Sequence, residues 1–364
     1  MKILVISNYH GRVSSRPEAE AMISLAAKGV QVSIMTQGDA EYNDDFKKAE
    51  IKCIDFQTLK KFDKKEIAFI RKELIEGEYD IIHLFNGKAI INGIRAAKGL
   101  AVKVVLYRGY LGNIHWWDPT AYFKYLHPRV DKIWCIAKGV SDYINRNTLF
   151  TSNKAVCIHK GHHPSWYQDI TAADLSEFSI PKGSIVTSIV ANTRPMKGIP
   201  YLIKSTYHIP TNIPFYLLLI GKGLDTDEVK SLLEKSPHKE RIIFTAYRQD
   251  ALQLVKASDI FVLSSLYGEA TTKSVIEAMS LGVPPIITDI PGNQGLVNDK
   301  KCGYIVPRKD PIALANAIIS LYENPKLRAE YGKAAKRHIA NHFTTEKTAE
   351  DLYNLYQELI SKDN

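Results

Sequence analysis

Short apolar runs alternate with helix-compatible stretches along the whole chain of 364 residues. Such runs predict strands that are covered on both faces, and their alternation with helices predicts parallel sheets. Six predicted strands precede the middle of the chain, at residues 2–7, 30–36, 80–85, 103–108, 132–137 and 155–160. Six more follow, at residues 185–192, 215–221, 241–246, 260–265, 284–289 and 302–307. Two series of six strands predict two doubly wound α/β domains, because a (β/α)₈ barrel needs eight regular units.

Two carboxylates stand out between residues 259 and 292. Glu269 lies in the loop after a predicted strand, and Glu277 lies inside the helix that follows, among apolar neighbours. A buried carboxylate is costly unless something donates a hydrogen bond to it. Open α/β sheets bind ligands beyond the carboxyl ends of their strands. Glu277 is therefore either a structural acid or an acceptor for ligand hydroxyls.

This segment resembles the signature of the retaining nucleotide-sugar glycosyltransferases of family four. Seven residues separate Glu269 from Glu277, and Ala-Met-Ser-Leu-Gly-Val-Pro-Pro follows Glu277. The resemblance implies a GT-B fold, in which two facing Rossmann-like domains enclose a cleft. It implies that Glu269 binds the donor sugar and acts in catalysis, and that Glu277 binds the nucleotide ribose. Many members have Gly-Phe-Gly after the first Glu. This chain has Ala-Thr-Thr-Lys there, so Thr272 and Lys273 become candidates for donor binding.

A loop with two cations, Arg194 and Lys197, closes the first strand of the second series. A nucleoside diphosphate gathers negative charge as it leaves, and preorganised cations stabilise that charge. Family members often place an Arg and a Lys in this loop to grip the diphosphate. Lys197 aligns with the family Lys, whereas Asn192 stands where the Arg is commonest. We expect catalytic roles for Arg194 and Lys197; the alternative is a pair of solvated loop residues.

Two further segments of the second domain are candidates for function. Tyr247 and Arg248 end a strand where relatives hold the nucleobase, so both are expected to bind the nucleotide. The run from Asp225 to Asp227 mimics a metal-binding Asp-x-Asp motif. We interpret it as a helix N-terminus, where acidic residues are favoured by the helix dipole, and we expect no essential metal.

The loop after the first strand contains Gly11, Arg12 and Ser14, and Pro17 suits the first turn of a helix over residues 17–28. The dinucleotide fingerprint Gly-x-Gly-x-x-Gly is absent, which argues against a dehydrogenase. In the family this loop borders the donor phosphates and the acceptor. Gly11 is therefore a donor-side candidate, and Arg12 and Ser14 are acceptor-side candidates. An ordinary polar surface turn is an equally good interpretation.

Residues 107–128 are rich in aromatic side chains and begin at the end of a predicted strand. Aromatic faces suit sugars, but the same pattern fits a buried cluster that contains Trp116 and Trp117. Many family members have His-Gly at this strand end, and this chain has Arg108-Gly109. Either Arg108 has another role or His115 approaches the acceptor from the loop.

The resemblance also implies the domain organisation. The turn around Gly161 and Pro164 separates an acceptor-side domain at residues 1–162 from a nucleotide-sugar domain at 163–344. A terminal helix over residues 345–364 is expected to cross back onto the first domain.

Composition limits the cellular setting. The four cysteines have no metal-ligand or redox spacing, and no apolar run approaches the roughly 20 residues of a membrane span. The apolar run after Met1 and Lys2 is too short for a signal peptide and predicts a strand. We therefore expect a cytoplasmic protein.

The net charge of +9 fits an anionic partner or simple solubility. Residues 58–75 join six Lys or Arg to an apolar stripe, which suits either contact with the inner face of an anionic membrane or a packed helix with a solvated face.

The sequence predicts a retaining glycosyltransferase that moves a sugar from a nucleotide sugar to a hydroxyl of a glycan or lipid-linked acceptor. The resemblance favours lipopolysaccharide or other envelope glycan synthesis, with no cofactor. Two alternatives stay open, a GT-B sugar-nucleotide epimerase and a non-catalytic protein that binds sugars or polyanions on the same fold. Binding of nucleic acid is not expected, because no basic motif accompanies a known nucleic-acid module.

Overall fold

The computed structural model describes residues 1–148 and 153–361. It divides into two units, one of Met1–His162 with the segment from Phe343 onward and one of His163–His342. Each unit contains a parallel sheet with its own buried apolar core. The two predicted doubly wound sheets are therefore present.

The sheet of the first unit has the strand order β3-β2-β1-β4-β5-β6-β7. Its strands are β1 Lys2–Ile6, β2 Gln31–Thr36, β3 Lys52–Asp55, β4 Ile81–Leu84, β5 Lys103–Arg108, β6 Lys132–Cys135 and β7 Ala155–Cys157. Its helices are α1 Arg12–Ala27, α2 Asn43–Lys48, α3 Lys64–Gly77, α4 Gly87–Ala96, α5 Lys138–Arg146 and, at the end of the chain, α13 Thr345–Ser361. The strand order reverses between β1 and β4, and such a switch point is where doubly wound sheets bind ligands.

The second unit repeats this plan with the strand order β10-β9-β8-β11-β12-β13. Its strands are β8 Ile185–Val190, β9 Phe215–Ile220, β10 Ile242–Ala246, β11 Ile260–Leu263, β12 Pro285–Thr288 and β13 Tyr304–Val306. Its helices are α6 Ser165–Gln168, α7 Ile199–Ser205, α8 Asp227–Leu233, α9 Ala251–Lys256, α10 Lys273–Ser280, α11 Pro311–Glu323 and α12 Pro325–His342. Here the switch point lies between β8 and β11.

Strand β3 was not predicted from the sequence, so the prediction of six strands in the first series is wrong by one. β3 is a four-residue strand at the edge of the sheet, and both Lys52 and Asp55 are exposed. Only Cys53 and Ile54 lie between them, which is too short an apolar run to stand out. Short, charged edge strands are common because they discourage pairing with another chain.

The first helix begins five residues earlier than predicted. Gly11 is the N-cap of α1, and Pro17 lies inside the helix instead of in its first turn. A proline lacks an N–H group, so the helix gives up one backbone hydrogen bond there. Arg12 and Ser14 therefore belong to the first turn of α1 and not to a loop.

Helix α13 belongs to the first unit, where polar contacts bind it to the sheet. The Tyr356 hydroxyl lies 2.6 Å from His83 Nδ1 in β4, and Thr348 Oγ1 donates to the carbonyl of His159. Burial lowers the pKa of His83 to about 3, so its imidazole is neutral. Residues 362–364 of the predicted terminal helix lie outside the described residues. Over the described chain, no helix combines the length and apolar character that crossing a bilayer requires.

Candidate active site

The centre of the candidate site is an ion pair at the switch point of the second sheet. Lys197 follows β8 and Glu269 follows β11, and Lys197 Nζ lies 2.5 Å from Glu269 Oε1. Their side chains are only 13% and 11% exposed. Ser265 Oγ donates a second hydrogen bond, of 2.9 Å, to the same carboxylate oxygen. The structure thus brings together two residues that two separate motifs predicted.

The loops that carry this pair are fastened to each other. Ser264 Oγ donates to the carbonyl of Lys197 at 2.8 Å, and the Leu266 amide donates to the carbonyl of Met196 at 2.7 Å. Gly198 has a φ of 65°, and a Cβ atom there would lie 2.1 Å from the carbonyl oxygen of Ser264. This close approach and the left-handed backbone both require glycine. The Lys197–Glu269 geometry is therefore set by the backbone.

A third loop, the turn Pro291–Asn293, packs against the backbone of Glu269. A Cβ atom on Gly292 would lie 1.5 Å from the Glu269 carbonyl oxygen, so glycine is required here too. Asn293 Oδ1 accepts hydrogen bonds from the amide and hydroxyl of Thr272. Asn293 Nδ2 is buried and has no hydrogen-bond partner in the described part of the chain. The support that this turn gives to the Glu269 loop could not be predicted from the sequence, because the two segments meet only in the fold.

Glu277 occupies the second turn of α10 and is mostly buried, as predicted. Lys273 Nζ, one turn earlier, is its ion-pair partner at 3.3 Å. Burial raises the pKa of Glu277, although the nearby Lys273 ammonium acts in the opposite direction. Thr272 is the N-cap residue of α10, but its hydroxyl donates to Asn293 instead of capping the helix. In this structure Thr272 thus contacts Asn293, and Lys273 contacts Glu277.

A cavity of about 710 Å³ opens at the carboxyl ends of β8, β9 and β10. Its lining includes Asn192, Lys197, Gly221 and Tyr247. Tyr247 is 71% exposed. The volume lies within the usual range of small-molecule pockets, roughly 300–1,000 Å³.

Arg248 also lines this cavity, but its guanidinium is occupied by two carboxylates. It forms bidentate contacts with Asp250 at 2.7 Å and with Glu177 at 2.8 and 2.9 Å. The hydrogen bonds to Asp250, and then those to Glu177, raise the pKa of Arg248. Its observed contacts are structural, because they fasten the residues before β8 to the loop after β10.

Arg194 is not grouped with Lys197. It is exposed, and its guanidinium has no hydrogen-bond or ion-pair partner among the residues that the structure describes. It lines a neighbouring cavity of about 410 Å³ together with Tyr201, Lys204 and Leu224. The sequence could not reveal this difference, because the two cations lie only three residues apart.

The three candidates near the first strand, Gly11, Arg12 and Ser14, also lie in different surroundings. Arg12 lies on the surface, where it pairs with Asp45 at 2.8 Å and its amide donates to Glu41. Gly11 accepts a hydrogen bond from Ser14 Oγ through its carbonyl. Ser14 alone of these three lines a cavity at the carboxyl ends of β1 and β4.

Arg108, an acceptor-side candidate, makes contacts within its own loop. Its side chain is buried, and it donates to the carbonyls of Tyr110 and Gly112. Its guanidinium also stacks over the rings of Tyr110 and Tyr125. It therefore shapes the aromatic loop from inside.

His115 lies in that loop, stacked on the ring of Trp117 at 4.9 Å. Trp116 and Trp117 are both exposed, so the interpretation of a buried cluster is wrong for these two residues.

The acidic run at residues 225–227 begins helix α8, as interpreted from the sequence, with Thr226 as the N-cap. Across residues 1–148 and 153–361, no group of three or more His, Cys, Asp or Glu is placed to hold a metal ion.

Comparisons with known proteins show that the chain is similar to sugar-transferring enzymes. The model of the family described as Glycosyl transferases group 1 matches residues 172–338. A UDP-Gal:alpha-D-GlcNAc-diphosphoundecaprenol alpha-1,3-galactosyltransferase from Escherichia coli is 24% identical over 323 residues, 82% of this chain and 80% of that protein.

Two solved structures share the fold. A glycosyltransferase from Rickettsia africae has a TM-score of 0.81 at 18% identity, over 99% of this chain and 98% of that one. Anabaena Alr3699/HepE in complex with UDP has a TM-score of 0.75 at 17% identity, over 98% of this chain and 100% of that one. The predicted GT-B fold is confirmed.

Glu277→Gln is expected to raise the free energy of unfolding at neutral pH. Burial raises the pKa of Glu277 in the folded protein, so the folded state binds the proton more tightly than the unfolded state does. The stability that this group contributes is complete below its ordinary pKa of 4.5 and is lost as the pH rises through the raised value. Glutamine has no such proton to lose. Urea unfolding should show an advantage of the variant near pH 7 that vanishes near pH 4.

Glu330→Gln provides the matched control, because Glu330 is exposed on α12. Its free energy of unfolding should stay within about 0.5 kcal/mol of the wild type at both pH values. If Glu277→Gln were less stable than the wild type near pH 7, the pair with Lys273 would outweigh the cost of burying the carboxylate.

Proposed function

We propose that this chain, whose residues 172–338 match the model of Glycosyl transferases group 1, is a retaining glycosyltransferase that moves a sugar from a nucleoside diphosphate to a hydroxyl acceptor. The observation that carries this proposal is the Lys197–Glu269 pair at the switch point of the second sheet. A cation and a carboxylate side by side suit a donor whose phosphates are anionic and whose sugar presents hydroxyl donors. The 710 Å³ cavity beside Lys197 has space for the nucleoside.

In the proposed reaction, Lys197 binds the diphosphate and stabilises the charge that grows on it as it leaves. Glu269 accepts hydrogen bonds from the sugar, Glu277 from the ribose, and Tyr247 stacks on the base. The bond between the anomeric carbon and the phosphate oxygen breaks. The bond to the acceptor oxygen forms on the same face, and the departing phosphate takes the acceptor's proton. Since Lys197 supplies the positive charge, no metal is required.

The names of two similar proteins guide the choice of substrates. UDP appears in the name of the Escherichia coli relative and in the Anabaena complex. The relative's acceptor is a sugar on a lipid diphosphate. We therefore propose a UDP-sugar donor and a lipid-linked glycan acceptor, with lipopolysaccharide or another envelope glycan as the product.

Lys197→Ala is expected to weaken binding of the donor nucleotide by at least about tenfold, because a charge-assisted contact to the diphosphate is lost. Isothermal titration with UDP, GDP and ADP, each with EDTA and then with Mg²⁺, measures this. The matched control is Lys204→Ala, since Lys204 lines the neighbouring cavity and not the one beside Lys197. It should bind as the wild type does, and EDTA should change nothing.

Product analysis separates the alternatives. A transferred sugar that keeps the donor's anomeric configuration supports the proposal. An epimerised sugar nucleotide formed without an acceptor would favour an epimerase. Binding of the nucleotide sugar without turnover on any acceptor would favour a non-catalytic binding protein.

We also propose that the basic segment around the start of α3 contacts an anionic membrane surface. Helix α3 begins only at Lys64, after an N-cap formed by Asp63, so the predicted apolar stripe is interrupted. Ile70 and Leu74 pack inside, whereas Leu59 and Phe62 precede the helix and are exposed. The exposed lysines of this segment are Lys60, Lys61, Lys64 and Lys65. Apolar side chains among lysines suit a bilayer surface that carries negative charge.

Vesicle flotation tests this contact. The protein should float with phosphatidylglycerol vesicles and should dissociate from them as the salt concentration is raised. It should not float with phosphatidylcholine vesicles. Leu59→Glu should reduce flotation, whereas Ile312→Glu, at a similarly exposed position of the second unit, should not. Equal flotation of both variants, or no flotation of the wild type at low salt, would contradict the proposed contact.

A further inference from the structure

The second unit has another cavity beside the one that contains Lys197, and no residue of the proposed reaction lines it. It measures about 410 Å³ and is bounded by the loop after β8, the first turns of α7 and the segment that begins α8. Small-molecule sites commonly have such a volume, with apolar walls and a few polar groups that fix the ligand's orientation. The apolar lining residues are Pro195, Ile199, Pro200, Leu224, Val229 and Leu266.

Two cations supply polar groups to this cavity. The Arg194 guanidinium is exposed and has no hydrogen-bond or ion-pair partner among the residues that the structure describes. Lys204 Nζ lies 5.4 Å from the centre of the Tyr201 ring, and no carboxylate of the described chain forms an ion pair with it. Both positive charges are therefore available to a ligand.

Glu228 is the one carboxylate among the described residues that line the cavity. It is exposed in the first turn of α8. Two cations and one carboxylate leave the lining with a net positive formal charge. An anionic ligand is therefore favoured over a cationic one.

Only a thin wall separates this cavity from the larger one. Thr193 and Gly223 line both, and a Cβ atom on Gly223 would lie 2.9 Å from Thr193 Cγ2. Arg194 lines only the smaller cavity, whereas Lys197 lines only the larger one. A ligand in either cavity can therefore be recognised by the cation on which its binding depends.

We propose that the 410 Å³ cavity is a second ligand site, which binds a small anion with an apolar body, such as an alkyl phosphate or an alkyl carboxylate. The apolar body packs against Ile199, Leu224 and Val229. The anionic group accepts charge-assisted hydrogen bonds from Arg194 and Lys204. This inference goes beyond the proposed glycosyl transfer and does not rest on it.

Isothermal titration with four probes tests the assignment, at concentrations below those at which micelles form. Octyl phosphate and octanoate should bind the wild type. Octylammonium has the same chain and the opposite charge, and inorganic phosphate has the anion without the chain. Each should bind at least about tenfold more weakly than octyl phosphate, because one of the two kinds of contact is lost.

Two exposed positions of the lining test the role of charge in opposite directions. Arg194→Gln should raise the dissociation constant of octyl phosphate by about tenfold, because a charge-assisted contact is lost. Glu228→Gln should lower it by about two- to threefold, because a repelling carboxylate is removed. A nonspecific apolar contact would respond to neither substitution.

Lys222→Gln is the matched control for Arg194→Gln. Lys222 is also an exposed cation, but it lines only the larger cavity. Its variant loses the same charge and should bind octyl phosphate as the wild type does. Lys197→Ala should also keep octyl phosphate binding, although it is expected to weaken UDP binding.

The inference is overturned if octyl phosphate does not bind the wild type, if octylammonium binds equally well, or if Arg194→Gln and Lys222→Gln bind octyl phosphate alike. Loss of octyl phosphate binding in Lys197→Ala would place this probe in the larger cavity and would overturn it as well. UDP binding that depends on Lys197 is measured separately, so the second site and the proposed transferase can each fail without the other.

Discussion

A nearly buried ion pair between Lys197 and Glu269 is the constraint on which the second unit's site depends. Removing an ammonium and a carboxylate from water costs free energy that their attraction only partly returns. Such a pair is weak evidence for stability. In the proposed reaction the pair serves a ligand that uses both charges, because an anionic phosphate and a hydroxyl-bearing sugar would each find a partner there.

Glycines let the surrounding loops hold this pair. Gly198 allows the loop after β8 to touch the loop after β11, and Gly292 allows the turn after β12 to touch the Glu269 backbone. Three loops from three neighbouring strands thereby fix two side chains without using either charge. This arrangement leaves the charges free to exchange partners when a ligand arrives, and such preorganisation lowers the cost of binding.

The sequence predicts most of this architecture, because short apolar runs identify the strands and the strands alternate with helices. Apolar runs predicted twelve of the thirteen strands in the described part of the chain, and the Glu269–Glu277 spacing pointed to the loop and helix of the candidate site. The sequence pattern did not predict β3, which has no apolar run. It also placed the start of α1 too late, because Pro17 was assigned to the first turn of the helix. Contacts between loops could not be predicted from the sequence either. Arg194 and Lys197 lie three residues apart yet line different cavities, Arg248 pairs with Glu177 from a distant segment, and Glu18 meets Tyr107 and Lys160 only in the folded chain.

The most direct test of the central claim is calorimetric titration of UDP and of uridine into the wild type and into Glu269→Gln. If Lys197 exchanges Glu269 for the diphosphate, removing the competing carboxylate should tighten UDP binding by about tenfold, or about 1.4 kcal/mol. Uridine, which has no phosphate, should bind both proteins equally. Unchanged UDP affinity, or an equal gain for uridine, would contradict the account.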